Sequence, residues 1–90
     1  MTLVDRLTNL QDRIARNTKT GEEVRAELHV ILFQLGSTAC APLVQEALEW
    51  AETYYSEGKW RQWGSQQEVQ RFLLDALARA EACIQSQPEE

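Results

Sequence analysis

The stretch Thr20-Gly-Glu-Glu-Val24-Arg-Ala-Glu-Leu28-His-Val-Ile31-Leu-Phe-Gln-Leu35-Gly36, TGEEVRAELHVILFQLG, decides between an all-helical protein and one with a buried strand. Its middle, Val30-Ile-Leu-Phe33, is a short apolar run that periodicity alone does not distinguish from a strand covered on both faces. The flanks do distinguish them. Thr20 followed three residues later by Glu23 is a capping box, in which hydroxyl and carboxylate satisfy two backbone N–H groups that a helix start leaves without partners. Gly36 supplies the stop. Val24, Leu28, Ile31 and Leu35 recur at helical spacing, and nothing else in the chain offers a partner strand. The stretch therefore predicts a helix over 21–35. The extra apolar residues Val30, Leu32 and Phe33 place its second half near the centre of a bundle.

The same logic extends in both directions. Thr2-Leu-Val-Asp5 is a capping box with Asp in place of Glu, and Leu3, Leu7, Leu10 and Ile14 form a single narrow stripe, so a helix runs over about 3–16 with Asp12 and Arg16 paired on its surface. Pro42 suits a first helical turn, where its missing N–H costs nothing. From there Leu43, Val44, Ala47, Leu48, Trp50, Ala51, Tyr54 and Tyr55 share one face over about 41–57. Glu46, Glu49, Glu52 and Glu57 share the other, which carries no base. Ser65-Gln-Gln-Glu68 opens a last helix over about 66–85, with Val69, Leu73, Ala76, Leu77, Ala80, Cys83 and Ile84 inward. Small Ala76 and Ala80 admit a close neighbour, Leu74, Ala78 and Ala82 lie on the back, and Arg71, Asp75 and Arg79 form a surface ladder. Residues 86–90 read as a frayed tail. The expected fold is all-α, a compact bundle of four helices with short capped connections, in one domain spanning 1–90.

Composition agrees with a folded domain, far from the disordered regime: 43% of the 90 residues are hydrophobic and 26% are charged. A chain this short buries a modest fraction of its surface, and self-association is a common remedy. The net charge of −5 disfavours a nucleic-acid backbone or an anionic membrane as direct partner, since both recruit clustered Lys and Arg. A protein with a basic surface fits better. No apolar run reaches the roughly 20 residues of a membrane span, and the N-terminus lacks the order of a signal peptide. The expectation is a cytoplasmic protein whose Cys40 and Cys83 are reduced thiols serving as small hydrophobes.

Tyr54-Tyr-Ser-Glu-Gly58-Lys-Trp60 resembles the inter-helix turn of a tetratricopeptide repeat, and Ala76, Cys83, Ile84 and Pro88 are similar in spacing to that repeat's second helix. The two halves stand in different registers, and no 34-residue unit runs through both. What the resemblance implies is helical-hairpin packing.

Catalytic constellations are missing from the sequence pattern. Nucleophilic catalysis needs a nucleophile, a base and a group that orients the base, and the single histidine, His29, lies inside a helix. No phosphate loop, CxxC or HExxH spacing occurs. A metal would have to recruit His29, Cys40, Cys83 and a carboxylate from separate helices. No enzyme activity, cofactor or metal is therefore expected. The lead is aromatic instead: the segment 50–64 holds five of the seven aromatic residues. Core packing accounts for Trp50 and Tyr54. Trp60 and Trp63, flanked by Lys59 and Arg61, read either as a lid folded over the end of the bundle, with a cation stacked on a ring, or as an exposed anchor of the kind that dominates interfaces. The leading expectation is a non-enzymatic interaction module of inhibitor, adaptor or co-chaperone type. Phage or plasmid inhibitors and secretion co-chaperones share this size and charge. The partner-binding residues would be Tyr55, Lys59, Trp60, Arg61 and Trp63 with Glu46, Glu49 and Glu52. The alternatives are a homodimeric scaffold that buries Leu74, Ala78 and the stripe of helix 1, and a small-ligand binder with a pocket between Trp50, Tyr54 and Trp60.

Overall fold

A computed structural model describes residues 2–17, 20–36 and 38–86. Its elements are α1 (Leu3–Ala15), α2 (Gly21–Leu35), α3 (Ala41–Tyr54), a 3-10 helix (Lys59–Trp63) and α4 (Gln66–Ser86), with no strand among the described residues. Both threonine boxes close as the sequence specifies. Thr2 Oγ1 accepts the Asp5 N–H at 3.1 Å while Asp5 Oδ2 accepts the Thr2 N–H at 3.4 Å. Thr20 and Glu23 repeat the exchange at 3.3 and 3.5 Å. Each cap stabilises its helix by about 1 kcal/mol. At α4, Ser65 Oγ accepts the Glu68 N–H at 3.3 Å.

The helices run up, down, up, down. Contacts between sequence neighbours hold three sides of the bundle: Arg6 with Glu27 at 3.3 Å, Arg25 with Glu52 at 4.0 Å, and Glu46 with Arg79 at 3.8 Å. The fourth side joins α1 to α4, where the Gln70 side-chain amide donates to the Ile14 carbonyl at 2.9 Å and Thr8 bonds Glu81. Helices α1 and α3 thus stand on one diagonal and α2 and α4 on the other. The antiparallel α3–α4 pair is the helical hairpin that the turn around Gly58 implied.

Each helix contributes one stripe to the core: Leu7, Leu10 and Ile14; Val24, Leu28, Ile31 and Leu35; Val44, Ala47, Leu48, Ala51 and Tyr54; Val69, Leu73, Ala76, Leu77 and Ala80. These are i, i+3, i+4 positions, and burying each Leu or Ile stabilises the fold by about 1.5–3 kcal/mol. The small residues of α4 and the alanines of α3 belong to the most extensive interface in the bundle.

Four expectations are corrected. The second half of α2 is not central: Val30 is 42% and Phe33 88% exposed, because α2 has only α1 and α3 beside it and those cover one stripe. Helix α3 ends at Tyr54, short of 57, because Ser56 intervenes. Its hydroxyl donates to the Thr53 carbonyl at 2.7 Å and accepts the Lys59 N–H at 3.0 Å, a local arrangement that competes with helix continuation. Leu7, Leu10 and Ile14 of the α1 stripe are buried in this chain's own core, and Leu3 alone stays partly exposed. Cys40 and Cys83 are not thiols but a disulfide, with Cα atoms 5.7 Å apart, clipping the start of α3 to the last turns of α4. Disulfides persist in oxidising surroundings, so the closed pair stands against the expectation of reduced thiols. No helix among the described residues is long and apolar enough to cross a membrane. Of the expected tail, Ser86 closes α4, and residues 87–90, Pro88 included, lie outside the described residues.

Candidate functional site

All the aromatic residues except Phe33 lie toward the end of the bundle opposite the disulfide, and the fold sorts them into three environments. Tyr54 and Tyr55 close the α1–α2 side. The Tyr54 hydroxyl donates to Asn17 Oδ1 at 2.9 Å, and the Gln66 amide donates to the Tyr54 carbonyl at 3.1 Å. Asn17 supports this from a left-handed conformation with φ at 59°. Asparagine tolerates that region better than most residues. Tyr55 packs edge-on against Tyr54, with ring centroids 4.7 Å apart. Burial pushes the Tyr55 phenol up to about 12, with Tyr54 and the Glu23 carboxylate adding to it. Burial also raises Tyr54, partly offset by its bond to Asn17. Both tyrosines help to close this end of the bundle, Tyr54 buried and Tyr55 half-buried beside it.

Trp60 occupies the second environment. It is half-buried against the core, and the Arg61 guanidinium lies over its ring at 5.7 Å from the centroid. The lid reading holds for this tryptophan, cation included. Lys59 is exposed, and its side chain joins neither tryptophan in an observed stacking contact.

Trp63 occupies the third and differs in kind. The 3-10 helix carries it past the end of the bundle onto the α3–α4 flank. There it meets Trp50 edge to face at 5.0 Å and Phe72 at 6.4 Å, while Trp50 and Phe72 lie 5.0 Å apart. Gly64, with φ at 108°, then turns the chain into α4. Residues bearing a side chain rarely adopt that conformation. The three rings form a ridge that remains partly in water: Trp63 is 46% and Phe72 38% exposed, and Trp50 is half-buried rather than part of the core.

Beside the ridge lies a shallow hollow of about 220 Å³ lined by Glu46, Glu49, Trp50, Thr53 and Trp63. The acidic residues expected on α3 divide here. Glu52 faces α2 and pairs with Arg25, away from the ridge. Glu46 points to α4 and shares Arg79 with Asp75, and the Asp75 carboxylate in turn holds the Arg79 guanidinium charged, above its usual range. The face that carries no base in sequence is therefore supplied with bases from both neighbouring helices. Glu49 has no ion-pair partner among the described residues, and it lines the hollow together with the two indoles. Thr53 donates to the Glu49 carbonyl at 3.2 Å, leaving the carboxylate uncommitted.

Of the residues selected from sequence, the fold brings together Glu46, Glu49 and Trp63; it sends Tyr55, Trp60 and Glu52 elsewhere. Arg61 is occupied by Trp60. Phe72 was missed. It is the large apolar residue of α4 that the inward stripe leaves unexplained, and that misfit was a usable signal. Of the expected pocket between Trp50, Tyr54 and Trp60, Tyr54 is buried with its hydroxyl on Asn17. No protein family, curated protein or solved structure matches the chain.

Proposed function

We propose that the protein is a non-enzymatic interaction module that binds a basic surface of another protein through the Trp50–Trp63–Phe72 ridge and the carboxylates beside it. The observation that supports this reading is the pairing of two half-exposed aromatic rings with an uncommitted Glu49. Trp, Tyr and Phe are enriched where interfaces bury their central contacts, and a net charge of −5 steers a cationic partner toward the molecule. The hollow measures about 220 Å³. Pockets that enclose small ligands hold roughly 300–1000 Å³, more than this hollow provides.

The two tryptophans of the 3-10 helix provide the test. A pull-down from the native host is run with wild type beside Trp63→Ala and Trp60→Ala, each checked for fold by circular dichroism. The reading expects Trp63→Ala to keep its fold and lose a partner, and Trp60→Ala to lower the melting temperature while retaining the partner. Capture that is equal for wild type and Trp63→Ala counts against it.

A homodimeric scaffold is the second reading, and it is favoured by a different surface from the one expected. With the α1 stripe buried, the exposed pair Val30 and Phe33 on α2 is what a second copy would cover. Sedimentation equilibrium at micromolar concentration distinguishes the two, because the interaction module is monomeric on its own.

A further inference from the structure

The ridge and the hollow beside it carry one step more, resting on the interaction reading above. Three ring contacts at 5.0, 5.0 and 6.4 Å between centroids mean that the aromatic groups touch one another. No gap remains among them for a rounded quaternary ammonium, which needs rings standing apart as the walls of a cage. What the ridge offers instead is a flat, half-exposed indole in a hollow that Glu49 also lines. A planar cation suits that surface. A guanidinium is weakly hydrated, stacks on an aromatic face, and keeps its edge N–H groups free for a carboxylate. A lysine ammonium is compact and strongly hydrated and gains less from the face. The chain makes this contact once already, with Arg61 over Trp60 at 5.7 Å.

We propose that the hollow lined by Trp63, Trp50 and Glu49 receives one arginine side chain of the basic partner, its guanidinium stacked on the indole surface and its edge bonded to Glu49. Glu46, half occupied by Arg79, borders the opening and adds charge without being required for the bond. The volume of about 220 Å³ suits a single long side chain.

The test uses the whole chain labelled with nitrogen-15, at physiological salt. It is titrated separately with the methylamides of acetylarginine, acetylcitrulline and acetyllysine while the Trp63 indole N–H and the Glu49 amide are followed by NMR. Citrulline keeps the shape of arginine and removes its charge. The expected result is a saturable shift of both signals with the arginine probe, at least about fivefold weaker binding of the lysine probe, and none with citrulline. Glu49→Gln should weaken the arginine probe by about fivefold, and Trp63→Ala should abolish the response with the helical spectrum unchanged. Equal binding of citrulline or lysine, or an unaltered affinity in Glu49→Gln, overturns the proposal. A partner captured through Trp63 together with equal binding of the three probes would leave the interaction reading in place and remove the arginine. Arginine-selective binding with no Trp63-dependent partner would do the reverse.

Discussion

Gly21 and Tyr55 stand so close that a Cβ added at position 21 would lie 2.8 Å from Tyr55 Cβ and 2.9 Å from Cγ. The first turn of α2 is thereby pressed against the residue that caps α3. A glycine at the start of a helix is ordinarily a place where alanine stabilises. Here Gly21→Ala should destabilise by about 1–3 kcal/mol, because the contact falls at the root of the tyrosine side chain, which cannot swing aside without moving the backbone. Denaturant melts of Gly21→Ala, Tyr55→Ala and the double variant check this. Coupling between the two sites is expected, with the cost of Gly21→Ala reduced but not removed, because alanine at 55 loses Cγ and the ring yet keeps the Cβ that stands 2.8 Å away.

The Cys40–Cys83 bond closes a loop with a sequence separation of 43. Loop-closure entropy for that length gives up to about 4 kcal/mol of stabilisation, which for a domain of this size is on the order of 15–25 °C in melting temperature. Thermal melts with and without a phosphine reductant should differ by that order, and the Cys40→Ala, Cys83→Ala double variant should be insensitive to the reductant. Two reactive thiols found in the folded, untreated protein would contradict the pairing.

Tyr55 gives the fold an alkaline limit. Its phenol, ordinarily at 10.0, titrates at about 12 in the folded chain. Between those values the unfolded state has released a proton that the folded state still holds. The stabilisation is fully present below the unfolded value and is lost as pH rises through the folded one. Because the ring is only partly buried, the effect is on the order of 1 kcal/mol. Chemical denaturation at pH values about one unit below and one unit above the ordinary phenol value should show that loss in wild type and most of it removed in Tyr55→Phe. Tyr54, raised in the same direction, leaves a remainder.

Phe33, 88% exposed, should tolerate a charge. Phe33→Glu is expected to change stability by less than about 0.5 kcal/mol, the ordinary range for surface substitutions. A loss of several kcal/mol would mean that this side of α2 is covered in solution, and sedimentation of the wild type would then show a dimer.

Helix starts were the most legible part of the fold. Thr2, Thr20 and Ser65 each carry their own hydrogen-bonding instruction, and nothing distant alters it. Ends were less legible: Ser56 lies on a sound helical pattern, yet its hydroxyl diverts the backbone. What sequence does not carry is which apolar residues are covered. Helical spacing sets Leu28 on the stripe and Phe33 off it, but only the placement of α1 and α3 decides that nothing in this chain covers Phe33. The disulfide was hidden for the same reason, since Cys40 and Cys83 meet only once α3 and α4 have taken an antiparallel register. At the site, aromatic content pointed to the correct segment, but the division between Trp60 and Trp63 depends on where a short 3-10 helix sets each ring down. Phe72, on another element altogether, completes the ridge.

The alternating direction of the helices puts the start of α1 and the end of α4 at the same end of the bundle, the end with the disulfide. The aromatic ridge lies toward the other, because Phe72 sits near the start of α4 and Ser86 closes it. At the rise of an α-helix, the stretch between them spans about 21 Å. A fluorophore attached in the first turn of α1 or the last turn of α4 would therefore stand well away from the ridge. Such a label would report on the bundle without covering the face that carries Trp63 and Phe72.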